Sequence, residues 1–166
     1  MEVPLAVTLA LEENAAAFFT ALRKIYNKSA SDSAAYIPLF QLLPNEASIT
    51  EPIANICQQV SPFQMQVLPP EITEEGVVYL LKSEKLYDLH QLLQAQWSSV
   101  LLPEDAGNWK AQIIIQEKTT TTAATELLEF LQNFSMSEVQ ATGLQLWTYG
   151  HQGILQQTIT FGGKAG

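Results

Sequence analysis

Hydrophobic and polar positions along this chain fall into alternating strand-like and helix-like segments. Residues 109–118 (WKAQIIIQEK) open with an aromatic side chain, alternate for two steps and end in a β-branched run, which predicts a central strand. Side chains alternate across a strand. The face predicted to pack in the core contains Ala111, Ile113 and Ile115. The opposite face, whose polar and apolar mixture is typical of the floor of a cleft, contains Lys110, Gln112, Ile114 and Gln116.

A second segment, residues 35–42 (AYIPLFQL), has the same strand-like character. Its alternation predicts that Tyr36, Pro38 and Phe40 share one face. The two segments lie about seventy-five residues apart, counted from Tyr36 to Gln112. We therefore expect them to be corresponding strands in two similar halves of the chain.

The remaining segments complete a repeated order of elements. Further strands are predicted at residues 4–11, 63–67, 77–82, 138–149 and 154–161. Helices are predicted at residues 12–27, 50–60 and 84–101, and after the threonines at 119–122. Pro69, Pro70 and the acidic residues up to Gly76 predict a surface turn and a boundary between lobes. The order strand, helix, strand, helix, strand thus occurs twice.

The negative net charge of the chain argues against some classes of binding partner. Seventeen carboxylates against eight Lys and Arg residues give a net charge of −9, and Arg23 is the only arginine. Nucleic-acid binding depends on cations that neutralise phosphates, so this acidic protein is not expected to bind nucleic acid. No apolar run has the length of a membrane span, and the N-terminus lacks the pattern of a secretion signal. A cytoplasmic protein without a membrane partner is the expectation.

Cysteine and histidine are too few for most metal and nucleophile chemistry. Cys57 is the only cysteine, and its helical segment predicts a buried apolar role. His90 is predicted at the edge of a helix's apolar stripe and His151 in a hairpin turn, so each is interpreted as a surface or boundary residue. The sequence contains no glycine-rich phosphate loop and no nucleophile elbow. We expect no metal and no cofactor.

The order of elements, the paired strands AYIPL and AQIII, and the C-terminal LQLWTYGHQGILQQTITF resemble the two-histidine phosphoesterase superfamily. This superfamily includes the bacterial 2'-5' RNA ligase-like proteins and cyclic phosphodiesterases. The resemblance covers nearly the whole chain and implies an α+β fold with two pseudo-symmetric lobes. Each lobe would be an antiparallel-rich sheet with helices on its outer face, and a central cleft would lie between them. Residues 1–166 would form a single domain, with lobe 1 at about 1–70 and lobe 2 at about 76–161.

In that superfamily each lobe contributes a His-x-Thr motif, whose histidines act as general base and general acid on a phosphodiester. The resemblance places Tyr36 and Gln112 at the histidine positions, and Pro38 and Ile114 at the threonine positions. Glutamine does not titrate and tyrosine titrates near a pH of about 10, so neither suits acid–base catalysis near neutral pH. We therefore predict no catalytic residue. The predicted lining of the ancestral cleft is Tyr36, Pro38, Phe40, Lys110, Gln112 and Ile114.

Three hypotheses follow for function. The first is a non-catalytic relative that binds a small ligand or a protein partner in the ancestral cleft. The second is an active RNA or cyclic-nucleotide phosphodiesterase, or a 2'-5' RNA ligase-like enzyme, that uses atypical residues. The third is a different fold, such as a ferredoxin-like repeat that dimerises through its sheet.

Overall fold

Helices and antiparallel strands follow one another along the chain. The computed structural model describes residues 3–26, 35–74, 76–117, 119–133, 136–148 and 153–162. The elements in chain order are β1 (Leu5–Leu11), α1 (Glu13–Tyr26), β2 (Pro38–Leu43), α2 (Ala47–Gln59), β3 (Phe63–Thr73), β4 (Gly76–Lys82), α3 (Glu84–Gln96), α4 (Pro103–Ala106), β5 (Gln112–Gln116), α5 (Thr121–Leu131), β6 (Glu138–Thr148) and β7 (Ile154–Thr160). The α+β class predicted from the sequence is confirmed.

The strands of the described residues form one seven-stranded sheet with the order β2-β1-β6-β3-β4-β5, and β7 pairs with β6. The pairing of β3 with β6 covers only Phe63–Gln66 against residues 138–141. The sheet therefore consists of a first arm (β2, β1, β6 and β7) and a second arm (β3, β4 and β5) joined by a short ladder. Since β6 from the second half of the chain lies in the first arm, the arms do not follow the predicted division at residues 70–76.

The sheet curls so that residues just before its two outer strands, β2 and β5, contact the other outer strand. Trp109, just before β5, donates its indole N–H to the carbonyl oxygen of Pro38 in β2, at 2.7 Å. Tyr36, just before β2, packs on Ile114 of β5. Trp109 packs against the main core beside the helices, whereas Tyr36 lies on the opposite face of the sheet, which we call the inner face.

The core lies on the other face, between the sheet and the helices. Alternate strand residues such as Val7, Ile113 and Ile115 pack there with helix residues such as Phe19 and Leu127, and all are essentially buried. The predicted core face of β5 (Ala111, Ile113 and Ile115) is thus confirmed. The apolar role predicted for Cys57 is also confirmed, because burial removes its side chain from solvent and raises the pKa of its thiol to about 11.

The turn predicted from Pro69 to Gly76 is wrong in its first part, because β3 continues through both prolines to Thr73. The ladder between β3 and β4 is irregular between Val67 and Pro70. Proline lacks an N–H to donate, so an irregular stretch of a ladder can accept it where a regular central stretch cannot. The reversal of the chain instead lies between Thr73 and Gly76, which are paired across the hairpin.

The prediction that Tyr36, Pro38 and Phe40 share a face is wrong. Register shifts interrupt the pairing of β2 with β1 on both sides of Phe40's partner, Val7. As a result Tyr36 lies in a small cluster on the inner face, whereas Phe40 is 1% exposed in the main core. Side chains stop alternating regularly between the two faces of a strand where such register shifts occur.

Gly76, the first residue of β4, has a φ of +128°, in a region that side-chain-bearing residues rarely adopt. A Cβ at this position would also overlap the carbonyl oxygen of Gln116 in β5. We expect Gly76→Ala to lower the free energy of unfolding by at least about 2 kcal/mol, measured by urea denaturation. Gly107→Ala is the matched control, because its Cβ would make only an ordinary contact. Equal stability of the two variants would contradict the prediction for Gly76.

Candidate ligand-binding cleft

The centre of the inner face is filled by side chains from both arms. Tyr36 from the first arm packs against Val78 and Ile114 of the second, and Leu80 lies beside them. Tyr36 and Ile114 are each 5% exposed. Two of the predicted cleft residues are therefore brought together, but they contact each other and leave little surface for a ligand.

A buried guanidinium lies behind this contact. Arg23 of α1 has no exposed side-chain surface, and its Nη2 donates to Oε2 of Glu117 at 2.9 Å. Its Nη1 donates to the carbonyl oxygen of Ile114 at 3.2 Å. The guanidinium carbon lies 5.1 Å from the centre of the Tyr36 ring, a cation–π distance. The Tyr36 hydroxyl donates to Oε1 of Glu117 at 2.9 Å, so one carboxylate connects both side chains.

Next to this network lies a cavity of about 660 Å³. Its lining comes from β2, the β3–β4 hairpin and the segment before β5: Pro38, Leu39, Gln41, Thr73, Glu74, Glu104, Asp105, Gly107, Asn108, Trp109, Lys110 and Gln112. We call it the cleft. It contains three of the predicted site residues, namely Pro38, Lys110 and Gln112. Phe40 does not line it, because that ring packs in the core.

The charge of the cleft is set by its carboxylates. Glu74, Glu104 and Asp105 outnumber Lys110, the single cation of the described lining. The Asp105 carboxylate accepts the backbone N–H groups of Gln41 and Leu42, each at 2.8 Å, so its charge is partly balanced. The lining nevertheless carries an excess of negative charge, which disfavours an anionic ligand.

Gln112 and Asp105 are the two buried polar side chains of the cleft lining. Gln112 is 7% exposed and pairs in the ladder with Leu80 of β4, so both lie on the inner face. Within the described part of the chain, no side-chain hydrogen bond to its amide is present. A buried amide of this kind offers both a donor and an acceptor to a ligand.

The first arm contributes polar groups to the inner face that the sequence analysis did not identify. Thr8 of β1 is paired with both Pro38 and Gln145, so these side chains form a row across three strands. The Thr8 hydroxyl accepts from the indole N–H of Trp147 at 2.9 Å and donates to Oε1 of Gln145 at 3.3 Å. The alternation of small and polar residues in β1 and β6 was the sequence pattern that could have indicated these inner-face polar groups.

His90 is buried, and the prediction of a surface or boundary histidine is wrong. Its ring stacks between Phe40 at 4.7 Å and Trp109 at 4.0 Å, and it is 3% exposed. The carbonyl oxygen of Leu39 lies 3.1 Å from Nε2 and can only accept, so Nε2 carries the proton. Burial lowers the pKa of His90, which the Leu39 carbonyl and Asp105 only partly offset. His151 and Lys118 lie outside the described residues.

A second cavity of about 790 Å³ lies beyond Lys110, along the end of β4 and the first turn of α3. Its walls include Leu68, Leu80 and Tyr87, and Lys110 borders it as well as the cleft. Lys110 is exposed, so its ammonium group can reach ligands in either cavity. This second cavity extends the inner face with a more apolar surface.

The described residues contain neither a metal-binding cluster nor a membrane-spanning helix. Within the described ranges, no three His, Cys, Asp or Glu side chains are grouped so that they could hold a metal ion. Among the same residues, no helix has the length and apolar character needed to cross a membrane.

The family model of the 2'-5' RNA ligase superfamily matches residues 11–153. The chain belongs to this superfamily. Among solved structures, the crystal structure of the protein TT0787 of Thermus thermophilus is similar, with a TM-score of 0.62 and 14% identity over 98% of this chain and 100% of that chain. At this identity the likeness shows the shared fold. A comparison with curated protein sequences finds no match.

The sequence resemblance assigns Tyr36 and Gln112 to the histidine positions, and Pro38 and Ile114 to the threonine positions, and this assignment stays a prediction. Under it, the first histidine position contacts the second threonine position, because Tyr36 packs on Ile114. The other two positions, Pro38 and Gln112, line the cleft together. Membership in the superfamily excludes the hypothesis of an unrelated ferredoxin-like repeat.

Sequence reasoning missed Arg23 and Glu117, which hold this centre together. The sequence analysis noted Arg23 only as the single arginine of the chain. A signal was nevertheless present, because Arg23 continues the buried spacing of Ala15 and Phe19 at intervals of four residues.

The ion pair yields a stability prediction. Glu117→Ala leaves the Arg23 charge buried without this partner, and we expect it to lower the free energy of unfolding by about 3 kcal/mol. Arg23→Met removes the charge and keeps much of the volume, so its cost should be smaller. Urea denaturation measures both, and Glu129→Ala on the exposed face of α5 is the control. A larger loss for Arg23→Met than for Glu117→Ala would contradict the prediction.

His90 yields a prediction about pH. In the unfolded chain its pKa is near the ordinary value of 6.5, whereas burial lowers it in the folded protein. As the pH falls through 6.5 the unfolded state therefore takes up the proton first, and the free energy of unfolding should decrease until the folded pKa is passed. His90→Gln should reduce the pH dependence of the free energy of unfolding between pH 7.5 and 5.5. Thermal denaturation at several pH values in this range measures it. His151→Gln, at the only other histidine, is the control and should retain the pH dependence.

Proposed function

We propose that this protein is a non-catalytic member of the 2'-5' RNA ligase superfamily that binds a small molecule in the cleft. One observation carries the proposal: Tyr36 and Ile114, which the sequence resemblance assigns to motif positions, pack together, with Arg23 and Glu117 bonded behind them. A phosphodiester could enter only if this contact opened. The closed centre therefore supports a binding role over a hydrolytic one.

The chemistry of the motif positions supports the same conclusion. Acid–base catalysis needs two groups that exchange protons near neutral pH, and Gln112 cannot titrate. Pro38 and Ile114 offer no side-chain donor to a phosphoryl oxygen. Such donors typically contribute about 3 kcal/mol of transition-state stabilisation each. The cation behind the centre, Arg23, is already engaged by Glu117 and by the Ile114 carbonyl.

The cleft favours a neutral or weakly cationic ligand with an apolar part. Its carboxylates exceed its cations, the rings of Pro38 and Trp109 supply apolar surface, and the Gln112 amide is available for hydrogen bonds. A cavity of about 660 Å³ has the size of ordinary small-molecule sites, which range over about 300–1000 Å³. The cytoplasmic location and the identity of any protein partner stay predictions.

The activity test uses 2',3'-cyclic nucleotides and 2'-5' linked RNA as substrates. We expect no turnover by the purified protein. Tyr36→His with Gln112→His should add little, and adding Pro38→Thr and Ile114→Thr could restore at most a trace, because the motif positions are packed against each other. If the unmodified protein turned over these substrates robustly and Gln112→Ala abolished the activity, the proposal would be wrong. That result would favour an enzyme with atypical residues.

The binding test is a thermal-shift screen of neutral, cationic and anionic small molecules. We expect hits among neutral or cationic compounds, and Gln112→Leu should weaken them roughly tenfold, the equivalent of one lost hydrogen bond to a buried amide. Gln91→Leu on the exposed face of α3 is the control and should bind as the wild type does. Preferential, salt-sensitive stabilisation by 2',3'-cyclic nucleotides would count against the proposed ligand class.

A further inference from the structure

We propose a second ligand site on the opposite side of the sheet, where α5 ends against β3, for a small apolar molecule that carries one hydrogen-bond acceptor. A cavity of about 260 Å³ lies there. Its lining is Val67, Leu68, Pro69, Pro70, Tyr79, Leu131, Gln132, Met136 and Ser137. The site is independent of the cleft, because Tyr79 belongs to the core face of β4, whereas Val78 belongs to the inner face.

The hydroxyl of Tyr79 is the reason to expect a ligand. Tyr79 is 3% exposed, and its hydroxyl is buried with no hydrogen-bond partner within the described part of the chain. Buried polar groups are nearly always paired, because an unpaired hydroxyl loses its bonds to water without replacement. An acceptor brought by a ligand would restore the missing bond.

The surroundings of Tyr79 make its hydroxyl a fixed hydrogen-bond donor. Its ring packs edge-on against Phe19, at 5.4 Å between centroids, so the side chain is held in the core. Burial raises the pKa of Tyr79 to about 12, which keeps the phenol protonated and a donor at neutral pH. The matching ligand group is therefore an acceptor such as a carbonyl or ether oxygen.

The walls of the cavity determine the polarity and the size of the ligand. Pro69 and Pro70 lie in the irregular stretch of β3 and have no N–H to offer. A backbone bond across this region, from the Val67 N–H to the Ser137 carbonyl at 2.8 Å, is already formed. Leu131 and Met136 add apolar surface, while Gln132 and Ser137 are exposed at the rim. The cavity is smaller than the roughly 300–1000 Å³ of drug-sized sites, so it suits a single-ring molecule.

The test compares two probes of nearly the same shape, acetophenone and α-methylstyrene, which differ in having or lacking the acceptor oxygen. Both are titrated into the 166-residue chain, and binding is followed by the backbone amide signals of Leu131, Met136 and Ser137. We expect acetophenone to bind roughly three- to tenfold more tightly, the ratio that one net hydrogen bond produces. Tyr79→Phe should abolish this preference and leave α-methylstyrene unchanged.

Tyr26→Phe is the control, because Tyr26 is a half-buried tyrosine that does not line the cavity, and it should keep the preference. Tyr79→Phe should also unfold at the same temperature as the wild type or higher, since it removes an unpaired hydroxyl. The proposal is overturned if neither probe shifts these amides, if Tyr79→Phe keeps the preference, or if this variant unfolds at a clearly lower temperature.

Discussion

The constraint on which the rest of this structure depends is the buried charge of Arg23. A guanidinium without exposed surface must have its donors satisfied, because an unpaired buried charge costs several kcal/mol, on the order of 3–5. Glu117 and the carbonyl oxygen of Ile114 satisfy it, and both belong to β5 or the residue after it. Helix α1, strand β5 and the approach to β2 are thereby fixed to each other, and the curl of the sheet follows.

The same constraint determines what the inner face can bind. Glu117 accepts the Tyr36 hydroxyl, and the Tyr36 ring contacts both the guanidinium and Ile114, so these side chains fill the centre of the inner face. The side chains that hold the centre of the inner face closed are thus bonded to one another, and this arrangement is the basis of the proposed binding role.

The sequence predicted a residue's position correctly where that position depends on neighbouring residues. It failed where the position depends on a partner distant in sequence. Local spacing correctly predicted β1, α1 and the core face of β5, since the hydrophobic period is a property of neighbouring residues. It failed at Phe40 and at Pro69, where register shifts break the period. It failed again at His90, which is buried between Phe40 and Trp109, and it did not identify Arg23, whose partners are distant in sequence.

The free edge of β2 shows how these distant partners replace a missing strand. An edge strand exposes unpaired backbone groups that can recruit another chain. Here Trp109 donates to Pro38, His90 to Leu39, and the Asp105 carboxylate accepts the N–H groups of Gln41 and Leu42. Side chains from residues 90–109 thus form the bonds that a neighbouring strand would otherwise form. Because Trp109 and Asp105 also line the cleft, the edge of the sheet and the shape of the binding cavity cannot change independently.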